Sequence, residues 1–182
     1  MVDRTYPETG LLLPDRDGWT SDDVVGLGER AVDAGVGSVW AWEGAAYGPF
    51  PLLARLADRV DVPLGTAIVN AFARSPATLA MQSLALAEAT DEQFYLGLGA
   101  STPAYVEHLH GEAYDRPLRR LRETIEIHRT ALAGDRIDYD GDLFSLGGFS
   151  LDHPEPVDVP IFNAALGPTN LELTLEHADG LL

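Results

Sequence analysis

The chain has 182 residues, and 29 Asp and Glu against 12 basic residues give a formal net charge of −17 at pH 7. This length supports one domain with a sizeable core, spanning residues 1–182, and a field this negative repels nucleic acid and anionic membranes, so neither is an expected partner. Cysteine is absent, which excludes disulfides, thiolate metal sites and a cysteine nucleophile.

Gly10-Leu11-Leu12-Leu13-Pro14 predicts a first buried strand, stopped by proline. Thr20-Ser21-Asp22-Asp23 opens a helix with a hydroxyl cap and acids in the first turn. Val24, Leu27, Ala31 and Ala34 form its apolar stripe, and Gly35 stops it. Ser38 to Trp42 is a second strand, and Pro51 to Arg59 a short helix with Leu52, Leu53, Leu56 and Ala57 inward. Val62 to Val69 reads as one continuous third strand. Ser75-Pro76 starts a helix that runs to about Ala89, and Phe94 to Leu98 is a fourth strand. Leu118, Leu121, Ile125, His128 and Leu132 keep helical spacing, with Arg119, Arg120, Arg122 and Glu123 expected on a solvated ion-pair face. Arg136 to Leu151 alternates around Asp140-Gly141, a hairpin signal. Val159 to Ala164 is a fifth strand, Gly167-Pro168 starts a helix carrying Leu171, Leu173 and Leu175, and Asp179 to Leu182 begins a sixth strand.

Strands alternating with helices imply parallel pairing with right-handed crossovers, in an open doubly wound sheet or a closed barrel. Polar and glycine-rich residues follow the carboxyl ends of strands two to five, where barrel enzymes build their sites, and this favours the barrel. His108 and His110 lie two apart and His128 sits on a helix; none has metal-ligand spacing with a second cluster, so no metal is expected. There is no Walker loop and no G-x-G-x-x-G fingerprint. Trp40 and Trp42 share one face of the second strand and are expected to pack in the core.

Three ordered stretches carry a resemblance: Gly65 to Pro76 (GTAIVNAFARSP), Tyr95 to Ser101 (YLGLGAS) and Val159 to Pro168 (VPIFNAALGP). In order and spacing they resemble the luciferase-like monooxygenase superfamily, and within it the coenzyme F420-dependent branch typified by methylenetetrahydromethanopterin reductase. The helix from Pro117 to Ala133 before a hairpin is similar too. The resemblance implies an α/β fold, a (β/α)8 TIM barrel of the luciferase-like type. About its first six units are present, with a β-hairpin excursion before strand five.

It also implies hydride transfer to or from F420, on a small organic or pterin-type C1 substrate. In related enzymes a non-proline cis peptide ends the third strand and backs the deazaflavin ring; the matching bond is Ala67–Ile68. Asn70 would then reach the ring edge or ribityl chain, although locally it also reads as a turn-forming Asn. Gly99, Ala100 and Ser101 would offer backbone N–H groups and a hydroxyl to ribityl or phosphate oxygens. Ala164, Ala165 and Gly167 would frame a phosphate site at a helix N-terminus. Glu43 matches an acidic position near the ring and is the candidate catalytic residue, with a solvent-exposed loop acid as its plainer reading. Thr102 stands where some members carry an acidic Glu, which argues against a sugar-phosphate dehydrogenase.

Two rival readings stay open: an FMN-dependent monooxygenase on the same barrel, and a non-catalytic truncated fragment. All 12 basic residues are Arg, which with the acidic excess predicts salt adaptation, although a GC-rich genome also disfavours Lys. Met1-Val2-Asp3-Arg4 lacks a signal-peptide pattern, and a cytoplasmic location follows as the expectation. A homodimer is expected of the full-length form.

Overall fold

Short parallel strands, each followed by a crossover, build one sheet in a computed structural model that describes residues 9–14, 17–153 and 155–182. The opening Met1-Val2-Asp3-Arg4 lies outside them. The strands are β1 (Leu11–Leu12), β2 (Val39–Ala41), β3 (Leu64–Thr66), β4 (Val69–Asn70), β5 (Phe94–Gly99), β8 (Ile161–Asn163) and β9 (Gly180–Leu181), with the hairpin strands β6 (Ile137–Asp140) and β7 (Ser145–Phe149) between β5 and β8. The main sheet runs β1-β2-β3-β5-β8-β9, with β4 also on β5, and every pairing in it is parallel. The chain therefore adds one strand per unit in sequence order, as in a barrel. Among the described residues β1 and β9 do not pair, so the barrel is open between them.

Helices α1 (Ser21–Asp33), α2 (Pro49–Ala57), α3 (Pro76–Ala89), α4 (Pro117–Leu132) and α5 (Pro168–His177) provide the crossovers. Their boundaries follow local chemistry. Thr20 and Asp23 form a reciprocal capping box on α1, and Gly35 at φ +97° follows its end. Ser75 accepts from the Thr78 N–H, with Pro76 at the first helical position of α3. The core sits between sheet and helices: Val39, Leu64, Phe94, Leu96 and Ile161 meet Val25, Leu53, Leu56, Leu79, Leu121 and Ile125, all essentially inaccessible. No helix among the described residues is long and apolar enough to cross a membrane.

Four local expectations are corrected. The buried face of α1 is Val24, Val25 and Gly28, while Ala34 is exposed. A side chain at Gly28 would come within 3.0 Å of Leu56, so helix–helix approach turns the glycine inward. The third strand is broken into β3 and β4, and the Ala67–Ile68 peptide between them is cis, where the resemblance placed it. At the break the Thr66 hydroxyl donates to the Gly97 carbonyl at 2.8 Å and accepts from the Gly97 N–H at 2.9 Å, replacing ladder bonds. The hairpin turn is longer than a two-residue Asp140-Gly141 turn: Asp140 pairs with Ser145, leaving a loop of residues 141–144. Glu123, expected on the solvated face of α4, is fully buried, and its carboxylate accepts the N–H groups of Asp142, Leu143 and Phe144 at 2.9–3.0 Å. That side chain, rather than the turn residues, sets the loop.

Candidate functional site

The carboxyl ends of β2, β4, β5 and β8 lie on one side of the sheet because all four strands run parallel. Two residues past β2, Glu43 is tied to the strand-three break: its N–H donates to the Ile68 carbonyl at 2.9 Å. Its carboxylate accepts the Asn70 N–H at 2.7 Å and pairs with Arg74, and both side chains are nearly covered, at 11% and 13% exposure. The Arg74 guanidinium lies over the Phe50 ring, 5.4 Å from its centre. Glu43 is thus a largely covered ion-pair partner rather than a solvent-exposed loop acid.

Asn70, the last residue of β4, is buried. Its Oδ1 accepts the Phe72 N–H at 2.9 Å, which leaves Nδ2 as the donor, and that atom is buried without a partner. Backbone bonds from Ala71 to Gly99 (3.0 Å) and from Ala164 to Leu98 (3.0 Å) hold the three strand ends together. A Cβ built on Gly99 would stand 3.0 Å from the Ile68 side chain and 3.4 Å from Ala164 Cβ, so Ile68, Gly99 and Ala164 converge. Ala67 is anchored through its N–H to the Ala41 carbonyl at 2.9 Å.

Ala100 and Ser101 leave β5, and Ser101 adopts φ +59°, the left-handed region, so the chain turns sharply there. The Tyr114 hydroxyl donates to the Ser101 carbonyl at 3.3 Å, and its ring stacks on Phe72 at 5.3 Å. Burial raises the pKa of Tyr114, keeping it a donor. Beyond β8, the Ala164 carbonyl accepts from Asn170 Nδ2 at 3.1 Å. Asn163, fully buried, donates to Asn170 Oδ1 and Thr174 Oγ1 at 2.9 and 2.8 Å. Ala165 is buried, and Gly167 is the extended N-cap of α5, with no side-chain cap and Pro168 following.

The structure therefore gathers Glu43, Ile68, Asn70, Gly99 and Ala164 directly, and joins Ser101 to them through Tyr114 and Phe72. Gly167 is reached along the chain from Ala164. Sequence reasoning did not single out Arg74, Phe72, Tyr114 or Asn170, whose importance comes from contacts across the fold. It placed Arg120 on a solvated face; its guanidinium instead lies 4.5 Å from the Phe72 ring centre and 5.2 Å from that of Phe144. His128, read as a helix-face residue, is buried with Nε2 3.0 Å from Ser83 Oγ, and burial, with Arg129 nearby, lowers it to about 3. Trp40 stacks with Tyr95 and Phe162, which joins β2, β5 and β8 through their rings. Among the described residues no three His, Asp or Glu are grouped to hold a metal.

A parallel, sequentially added β/α sheet with a cluster of small and amide residues at its strand ends defines a barrel-type fold with its candidate site at the carboxyl face. Residues 10–182 match the family model of luciferase-like monooxygenases, and the chain belongs to that family. It is 34% identical over 168 residues to a Mycobacterium tuberculosis protein named as a coenzyme F420-dependent oxidoreductase, a match covering 84% of this chain and 48% of the relative. It is 34% identical over 121 residues to the 5,10-methylenetetrahydromethanopterin reductase of Archaeoglobus fulgidus, covering 66% of this chain and 36% of that protein. The fold superposes at a TM-score of 0.87 and 18% identity on an F420-dependent secondary alcohol dehydrogenase solved with an F420–acetone adduct, over 97% of this chain and 58% of that one. The chain thus spans about half the length, or less, of the curated relatives named.

Proposed function

We propose that this chain forms the cofactor-binding part of a coenzyme F420-dependent oxidoreductase, acting on a small organic or pterin-type C1 substrate. The observation that carries the reading is the buried, unpartnered Asn70 Nδ2 beside the convergence of Ile68, Gly99 and Ala164. An unpaired buried donor costs about 1–3 kcal/mol, and a ring carbonyl or ribityl oxygen is the acceptor that would relieve it. The two relatives above, both named for F420 or for the methanopterin reductase reaction, support the same reading.

When bound, the deazaflavin supplies or accepts the hydride at its C5 position. The protein's part is shape and electrostatics. Ala67, Ile68, Gly99 and Ala164 would form a close, apolar backing. Asn70 would donate through Nδ2. Gly99 and Ala100 would offer backbone N–H groups, and Ser101 its hydroxyl, to ribityl or phosphate oxygens. Ala164, Ala165 and Gly167 would lead the phosphate to the start of α5, where backbone N–H groups lack helical acceptors. Glu43 is the candidate catalytic group; held by Arg74 and by the Asn70 N–H, it also orients the residue that meets the ring.

The test is direct titration of the chain with F420 and, separately, with FMN, followed by quenching of cofactor fluorescence. F420 is expected to bind, and Asn70→Ala to weaken binding about tenfold, the scale of one buried hydrogen bond. Binding of FMN alone would replace this reading with the FMN-dependent monooxygenase one. A second reading is a non-catalytic fragment; tight, stoichiometric F420 binding by a stable monomer would reject it. A homodimer of the full-length form is part of the proposal, to be checked by sedimentation.

A further inference from the structure

Arg120 differs from most of the cations of this acidic chain. Eight arginines, from Arg55 to Arg136, pair with a carboxylate within 4 Å. Arg120 has no such partner among the described residues, although the chain carries 29 acids. It is held by rings instead, with Phe72 and Phe144 at 4.5 and 5.2 Å, and its Nε is buried without a hydrogen bond. Stacking of this kind fixes a guanidinium in place and leaves its planar donors for another group. Phe72 connects it to the candidate site: the Phe72 N–H is held by Asn70 Oδ1, and its ring stacks on Tyr114, which donates to the Ser101 carbonyl. Two buried donors without acceptors, Asn70 Nδ2 and Arg120 Nε, thus belong to residues that both touch Phe72, one at its N–H and the other at its ring.

From this we infer that Arg120 is an anion-binding residue of the strand-end site, receiving a phosphate or carboxylate group of the bound ligand. Glu123 and Phe144 position it. The buried carboxylate fixes the hairpin loop through three N–H bonds, and the loop brings Phe144 against the guanidinium. The anion belongs either to the cofactor's phosphate-bearing tail or to an acidic substrate; only the first source rests on the F420 reading.

The first measurement needs no cofactor. Inorganic phosphate is titrated into the 182-residue chain while the Arg120 Nε–Hε resonance is followed, with Arg120→Leu to assign it. A saturable shift is expected; no shift up to tens of millimolar overturns the inference. The second compares F420 with its deazaflavin–ribityl core lacking the phosphate. Arg120→Leu is expected to weaken F420 binding about tenfold or more and to flatten its salt dependence, leaving the core's affinity within about twofold; these are the marks of a lost charge-assisted bond. Arg120→Lys, which keeps the charge and loses the flat fork, should fall between. Should phosphate saturate while Arg120→Leu leaves F420 binding unchanged, the anion is the substrate's. Should phosphate saturate and F420 not bind at all, the anion site stands and the F420 reading falls. An equal loss for F420 and the core with a lowered melting temperature would reduce Arg120 to a packing residue and overturn the inference.

Discussion

At the scale of single residues, two positions should respond in ways their neighbours would not. A Cβ on Gly97 would lie 1.8 Å from the Thr66 carbonyl oxygen, a backbone atom with no room to move. Gly97→Ala should therefore cost at least about 1–3 kcal/mol, the usual penalty of forced overpacking, measured by urea unfolding. Gly99→Ala meets side-chain atoms alone, Ile68 at 3.0 and 3.3 Å and Ala164 Cβ at 3.4 Å, so its effect on stability should be clearly smaller. His128 gives a pH signature. Its folded pKa of about 3 lies well below the ordinary 6.5, so below pH 6.5 the unfolded chain takes up a proton that the folded chain refuses. Its contribution is lost as pH falls, by up to about 1.4 kcal/mol per pH unit, or about 2 kcal/mol between pH 6.5 and 5. His128→Gln should flatten that limb in equilibrium unfolding. His153 acts with opposite sign: bonds to the Glu155 carbonyl and Glu88 raise its pKa, so its small contribution fades as pH rises through that raised value. An NMR titration should find it above the ordinary range, and Glu88→Gln should bring it down.

At the scale of elements, the hairpin of β6 and β7 depends on Glu123. Glu123→Ala strips three backbone N–H groups of their acceptor and should destabilise the fold by about 3 kcal/mol or more, with amide exchange at residues 141–144 rising first. Elements were readable from the sequence where the signal is local. The cap at Thr20, the Ser75-Pro76 helix start, the inward Leu52, Leu53 and Leu56, and the parallel alternation all rest on spacings of a few residues. Glu123 was not, since a glutamate beside three arginines on a helix looks solvated until a distant hairpin covers it. Likewise, the stretch from Val62 to Val69 looks like one apolar strand, and its break follows from bonds between Thr66 and Gly97, 31 residues on. Of the candidate site, the positions Ile68, Gly99 and Ala164 came from the order of family-like stretches. Arg74 and Arg120 stayed hidden because their partners are rings and acids on other elements.

At the scale of the whole molecule, charge and edges matter most. With a net charge of −17, self-repulsion should weaken the compact state in dilute buffer and be screened by salt. The melting temperature should rise as KCl goes from 0.1 to 2 M; a flat or falling curve would remove the salt-adaptation reading. Among the described residues the edges of β1 and β9 are unpaired, and they expose Leu12, Leu181 and Leu182 at 50%, 53% and 43%. Such edges invite pairing with other chains, so light scattering should show association that grows with protein concentration.

The stack of Trp40, Tyr95 and Phe162 borders the gap where those edges fail to meet, together with Gly10, Gly180 and Leu182. An indole in that place is a built-in optical gauge. Whatever comes to fill the seam, from further strands of a longer polypeptide to a neighbouring molecule, would strip water from Trp40 and move its emission toward the blue, without any label being attached.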